Sequence, residues 1–137
     1  MRPMKLAGDE LVFGKGALEH LETLKAKKAV IVLGSDRFFK NGLMDTVERH
    51  LKKAGIAYET FIGVEADPGL NTVKKGAAFM QEHEPDILIA LGGGSVMDAT
   101  KAMWVYYEHP DIKGLDPLKD KHHFPKLRNK ARLVCVP

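Results

Sequence analysis

Hydrophobic positions along the chain fall into short continuous runs separated by stretches of helical spacing. "KAVIVLG" (28–34), "PDILIALG" (85–92) and "ARLVCVP" (131–137) are apolar, rich in β-branched residues and bounded by glycine or proline. Runs without alternation suit strands of a parallel sheet that is covered on both faces. "YETFIGV" (58–64) alternates and predicts a strand nearer an edge, and "ELVFG" (10–14) predicts a short first edge strand. Between them, "ALEHLETLK" (17–25) places Leu18, Leu21 and Leu24 three apart on one helical face. "LMDTVERHLKKAG" (43–55) places Leu43, Val47 and Leu51 four apart and stops at Gly55, where a helix commonly ends. "TVKKGAAFMQEH" (72–83) and "SVMDATKAMWVYYEH" (95–109) complete the helices. From Glu108 to Lys130 the chain is polar and carries three prolines, which predicts a long surface excursion. Strand and helix alternate, so the fold class is α/β, a doubly wound, mostly parallel sheet joined by right-handed crossovers.

One strand ends unusually. In "DILIALGGGSVMDATKAM" (86–103) a buried run stops at Leu91 and helical spacing (Val96, Ala99, Met103) begins almost at once. Gly92, Gly93 and Gly94 form the turn, although each glycine loses more chain entropy on ordering than any other residue. The helix start presents unpaired N–H groups and roughly half a positive charge, and glycines let a phosphate approach that backbone. Ser95 can cap the helix or donate its hydroxyl to a phosphate oxygen. A tight turn packed on a neighbouring helix is the competing explanation. Asp98 and Lys101, three apart, share a helix face; they form either a surface ion pair or a polar pair toward the ligand. A Walker loop is excluded, because Lys101 follows Thr100 rather than a glycine. "FGKGALE" (13–19) only mimics the start of a GxGxxG motif, since its last position is Glu19.

Composition narrows the class without changing the fold. With 137 residues, 45% apolar and 28% charged, the chain has the size and balance of one globular domain. The net charge of +3 is mild, and only "KDKHH" and "KLRNKAR" near the C-terminus approach a basic stripe, so no nucleic-acid partner is expected. No run reaches the roughly 20 apolar residues of a membrane span, and the N-terminus lacks the core of a signal peptide. Cys135, the single cysteine, lies among apolar neighbours and is expected to be a buried, inert thiol in a cytoplasmic protein. Of the histidines, His20, His50 and His83 read as solvated helix positions. None of the six, the adjacent His122 and His123 included, has metal-ligand spacing.

The pattern GGGSxxDxxK at 92–101 closely resembles the dinucleotide motif of the iron-containing (group III) alcohol dehydrogenases. "FGKGALEHL", "KAVIVLGSDRFFKNGLMDTV" and "GVEADPGLNTVKKG" are similar to the same family's opening, second strand and helix, and Pro-containing turn. "EADP" and "KAMWVYYEHP" resemble the alcohol-dehydrogenase part of bifunctional aldehyde–alcohol dehydrogenases. The resemblance implies a Rossmann-like N-terminal domain, here residues 1–137, that binds NAD or NADP. A helical domain beyond it would supply an Asp and three His to iron or zinc. By position, Gly93, Gly94 and Ser95 would hold the pyrophosphate, Asp98 would lie toward the nicotinamide ribose, and Asp67 would line the cleft. Gly34 stands where NAD-preferring members tend to carry an acid. Gly34, Ser35 and Arg37 could accept a 2′-phosphate, yet a shift of one residue would restore Asp36 as an NAD acid.

The chain stops directly after a strong strand, and it is expected to be part of a longer, homo-oligomeric enzyme acting on a small alcohol or aldehyde. No catalytic or metal-binding residue is expected within it, so alone it should oxidise no alcohol. A dehydroquinate synthase-like or glycerol dehydrogenase-like enzyme of the same fold, or a nucleotide-sensing module without chemistry, remain as alternatives.

Overall fold

The computed structural model describes residues 12, 14, 16–112 and 126–137. Strands β1 (Lys28–Leu33), β2 (Ala57–Ile62), β3 (Ile87–Leu91) and β4 (Arg132–Val136) form one parallel sheet in the order β2-β1-β3-β4. A 3₁₀ helix (Ala17–Thr23) precedes the sheet. Helices α1 (Arg37–Lys40), α2 (Leu43–Lys53), α3 (Leu70–His83) and α4 (Gly94–Glu108) connect its strands. After β1 the chain moves to one side to add β2, then returns past β1 to add β3 and β4 on the other. Crossovers of one hand require the covering helix to change faces when the direction of travel reverses. The two cores obey this. Ala29, Ile31 and Leu33 of β1 pack with α2 and the 3₁₀ helix, through Met44, Val47, Leu51 and Leu21. Val30 and Val32, the alternate residues of β1, pack with Val73, Ala77 and Met80 of α3 and Ala99 and Met103 of α4.

Both inner strands are buried on both faces, which is why their sequences are continuously apolar. β2 is an edge strand and alternates in burial as its sequence does. β4 departs from expectation: it is the other edge, and its residues are half-buried or exposed despite an apolar sequence. Cys135 on it is exposed rather than buried, because among the described residues β3 is its only strand neighbour and little else packs over it. The protein behind Cys135 still pushes its thiol above the ordinary pKa, with Lys101 opposing and Asp98 reinforcing the shift.

Of the leucines spaced by three, Leu18 and Leu21 belong to a 3₁₀ helix, whose period is three, and Leu24 is the extended residue that caps it; none lies in an α-helix. α2 ends as its sequence predicts. The Gly55 N–H reaches the Lys52 carbonyl and the Ile56 N–H reaches Leu51, with Gly55 at φ +75°. α1, which has no apolar period, is absent from the sequence reading. Of the strand expected at 10–14, Val12 and Gly14 are in no strand and the other residues lie outside the described ones. His50 is buried, not solvated; its Nδ1 lies 2.5 Å from Glu22 Oε2 and ties α2 to the 3₁₀ helix. His83 is half-buried, its ring 4.3 Å from that of Phe79. His20 is also half-buried, and His122 and His123 lie outside the described residues.

The amino edge of the sheet is closed by two carboxylates. Asp86 accepts the backbone N–H groups of Lys27 (2.9 Å) and Lys28 (3.0 Å), joining β1 to the start of β3. Glu108, expected to open a surface excursion, is only 8% exposed. Its carboxylate accepts Trp104 Nε1 (2.6 Å) and three successive backbone N–H groups, of Arg128 (2.6 Å), Asn129 (2.7 Å) and Lys130 (3.1 Å). That cradle aligns the chain entering β4. Residues 113–125 of the excursion lie outside the described ones. Beside it the Tyr107 hydroxyl donates to the Pro85 carbonyl (2.8 Å). Burial, then Glu84, Glu108 and Asp86, push the Tyr107 phenol up to about 12. Glu108→Gln places an amide donor against backbone donors and should cost about 1–3 kcal/mol of stability. Urea denaturation of the variant against the parent measures it, and an unchanged midpoint would show that the cradle contributes nothing.

Candidate functional site

At the carboxyl edge the strands open instead of closing. The connection from β1 goes to one face of the sheet and that from β3 to the other, so the chain diverges at their ends, the position where open α/β sheets take their ligands. Gly34 follows β1, residues 63–69 follow β2, and the glycines 92–94 follow β3. Backbone bonds draw these segments together. Gly63 and Val64 both donate to the Leu33 carbonyl (3.1 and 3.3 Å), and Gly92 donates to the Val136 carbonyl (2.9 Å). The Ser95 hydroxyl donates to the Ala66 carbonyl at 2.5 Å. Glu65 accepts the Thr72 hydroxyl (2.6 Å) and the Gly69 N–H (3.0 Å), and these bonds hold its carboxyl below the usual carboxylate range.

The three glycines have different reasons to be glycine. Gly92 is buried with φ +142°, and a Cβ on it would stand 3.1 Å from Val96 Cγ2. Both facts demand glycine there for the fold. Gly93 has an ordinary extended backbone (φ −77°), and Gly94 is the first residue of α4. Both are exposed, and a Cβ on either would meet nothing within 4 Å. The packed-turn explanation therefore accounts for Gly92 and leaves Gly93 and Gly94 without an internal reason. Open space in front of them, at the start of a 15-residue helix with unpaired first-turn N–H groups, fits a phosphate group.

Gly34 lies beneath the same turn: a Cβ on it would be 3.2 Å from the Val64 carbonyl oxygen and 3.4 Å from Val96 Cγ2. Ser35, Asp36 and Arg37 are exposed beyond the strand end. Asp36 starts α1 and pairs with Lys40 (3.3 Å), and the Arg37 guanidinium stacks on the Phe38 ring, 4.9 Å from its centre. Asp67 is exposed on the loop held by Ser95, and Asp98 is exposed on α4. The structure thus gathers Gly34, Gly93, Gly94, Ser95 and the Asp67 loop at the carboxyl edge of the sheet, with Asp36 at the cap of α1 two residues beyond Gly34. Ala66 escaped the sequence reading, since it contributes a carbonyl that no side-chain pattern signals. Among the described residues, no group of three or more His, Cys, Asp and Glu side chains could hold a metal ion. Among them, no helix is long and apolar enough to cross a membrane.

Comparison with known proteins decides the family. The pattern described as iron-containing alcohol dehydrogenase matches residues 8–137. The chain belongs to the iron-containing alcohol dehydrogenase family. It is 49% identical over 128 residues to the NADPH-dependent butanol dehydrogenase of Clostridium saccharobutylicum, covering 93% of this chain and 33% of that protein. It is 45% identical to the bifunctional aldehyde-alcohol dehydrogenase AdhE of Escherichia coli K12, covering 88% of this chain and 14% of that protein. Among solved structures, the E. coli aldehyde reductase YqhD matches with a TM-score of 0.77 and 28% identity, over 90% of this chain and 32% of that one. The iron-containing alcohol dehydrogenase of Thermococcus thioreducens matches with a TM-score of 0.76 and 26% identity, over 89% and 34%. The chain therefore spans a third or less of the curated relatives named here, and its sheet is the Rossmann-like α/β sheet of the family.

The glycine assignments predict opposite signs for one substitution at two neighbouring sites. Gly92→Ala should lower stability by about 1–3 kcal/mol through strain at positive φ and contact with Val96. Gly94→Ala should be neutral or stabilising by about 0.5 kcal/mol. Thermal melts of both variants check this, and a destabilised Gly94→Ala would reveal a packing role for Gly94.

Proposed function

We propose that this chain is the nicotinamide-dinucleotide-binding part of an alcohol dehydrogenase that moves a hydride between a small alcohol and its aldehyde. The observation that carries the reading is the pair Gly93 and Gly94: exposed, unstrained, facing open space, and placed where α4 begins. The backbone N–H groups there would hold the pyrophosphate, with Asp67 lining the cleft and Asp98 lying toward the nicotinamide ribose. When bound, the dinucleotide supplies the ring carbon that accepts or gives the hydride. The chain's own residues bind and orient it. The iron in the family's name would be held by residues beyond this chain, since no group of three or more His, Cys, Asp and Glu side chains stands together among the described residues. A small-molecule alcohol or aldehyde as substrate is supported by the names of the related dehydrogenases. A cytoplasmic setting is supported by the single cysteine, which leaves no internal disulfide.

For the cofactor we favour NADP. The residue directly at the end of β1 is Gly34, so no carboxylate stands at the strand tip, and Asp36 is engaged with Lys40 on α1. The related butanol dehydrogenase named NADPH-dependent is consistent with that choice.

Two measurements test these readings. Gly93→Val should leave the fold intact, because its Cβ meets open space, yet raise the dissociation constant of the dinucleotide by about tenfold or more. Fluorescence titration with NADPH and NADH reads it, and equal affinities in variant and parent would remove the phosphate from the turn. Gly34→Asp should weaken NADPH by about tenfold through like-charge repulsion while NADH holds or tightens. Gly34→Ala serves as the control for crowding against Val64. Equal losses for both cofactors, matched by the alanine variant, would assign Gly34 to packing alone.

A further inference from the structure

Two hydroxyls near the start of α4 behave differently. Thr100 bonds back within its own helix, to the Val96 carbonyl at 2.7 Å, as helical threonines commonly do. Ser95 does not bond within its helix or cap it. The cap position is Gly93, without a side-chain bond, and the Ser95 hydroxyl reaches 29 residues back along the chain to the Ala66 carbonyl at 2.5 Å. A serine hydroxyl carries one proton to donate, and here that proton goes to Ala66. The loop it reaches is tethered at its base by the Gly63 and Val64 bonds to Leu33. Its far end closes on itself through Glu65, Gly69 and Thr72. The tip between these anchors, Ala66-Asp67-Pro68, is joined to α4 by the Ser95 bond, and Pro68 limits its internal freedom.

We propose that Ser95 is a positioning residue: its hydroxyl clamps the 63–69 loop onto the first turn of α4. The Asp67 wall and the glycine turn thereby face the cofactor as one preformed surface. Phosphate recognition at this turn then falls to backbone N–H groups, and the hydroxyl supplies order rather than a phosphate bond. Holding the loop before binding removes an ordering cost from the association. This assignment rests on the dinucleotide reading above for its functional consequence, but the clamp itself exists without ligand.

The test uses the isosteric pair Ser95→Thr and Ser95→Val, which have the same shape and differ in the hydroxyl. Amide hydrogen exchange on the unliganded protein should be about three- to tenfold faster at Gly63, Val64 and Gly69 in the valine variant than in the threonine variant. Exchange in β1 and β3 should be the same in both, which reports an intact fold. NADPH titration should then show weaker binding by the valine variant and near-parent binding by the threonine variant. Equal loop exchange in the pair overturns the clamp. Faster loop exchange with unchanged NADPH affinity overturns its positioning role. If the parent binds neither NADPH nor NADH while the loop exchange differs as expected, the dinucleotide reading fails and the clamp stands.

Discussion

Crossovers of a single hand force the chain to change faces of the sheet when it changes direction, and that reversal happens once, on passing from β2 back to β3. Everything at the carboxyl edge follows from it. α2 covers the face seen by Ala29, Ile31 and Leu33, while α3 and α4 cover the face seen by Val30 and Val32. The connections leaving β1 and β3 therefore diverge at the ends of two fully buried strands, the position where open α/β sheets take their ligands. A sheet that grew in one direction only would have no such divergence.

The two edges of the sheet treat backbone polar groups in opposite ways. At the amino edge, Asp86 and Glu108 take up the free N–H groups of residues 27–28 and 128–130. Such charge-assisted bonds are stronger than neutral ones, and leaving the buried Glu108 carboxylate without its donors would be costly. At the carboxyl edge, the first N–H groups of α4 face outward beside glycines that present no side chain. Among the described residues, the amino edge therefore carries side-chain acceptors for its backbone donors, whereas the start of α4 carries none. An anion with several acceptor oxygens is the group that such donors match.

Side chains at the carboxyl edge act mainly on geometry. Val96 sits against both Gly34 and Gly92, so the end of β1, the turn and α4 are set by one valine and two missing side chains. Glu65 organises the start of α3, and Ser95 links the loop it begins to α4. The whole of this arrangement lies within the residues matched by the iron-containing alcohol dehydrogenase family. Among the described residues, no group of three or more His, Cys, Asp and Glu side chains could hold a metal ion.

The sequence alone determined what repeats with a fixed period or departs from composition. Continuous apolar runs marked the buried parallel strands, the four-residue spacing and Gly55 marked α2 and its end, and three glycines marked the turn. Local physics suffices for these, because strand burial, helix termination and the entropy of glycine are properties of neighbouring residues. The sequence did not reveal that Cys135 is exposed among the described residues, because apolar residues look alike whether or not a layer covers them. Nor did it reveal the burial of His50, whose partner lies 28 residues away, or of Glu108, whose backbone partners lie 20 to 22 residues away. The differing reasons for Gly92, Gly93 and Gly94 were invisible for the same cause. Only the packed structure shows that Val96 fills the space at the first and nothing fills it at the other two. Tertiary structure decided these points because each depends on what a distant segment places opposite a side chain, and a linear pattern carries no record of that.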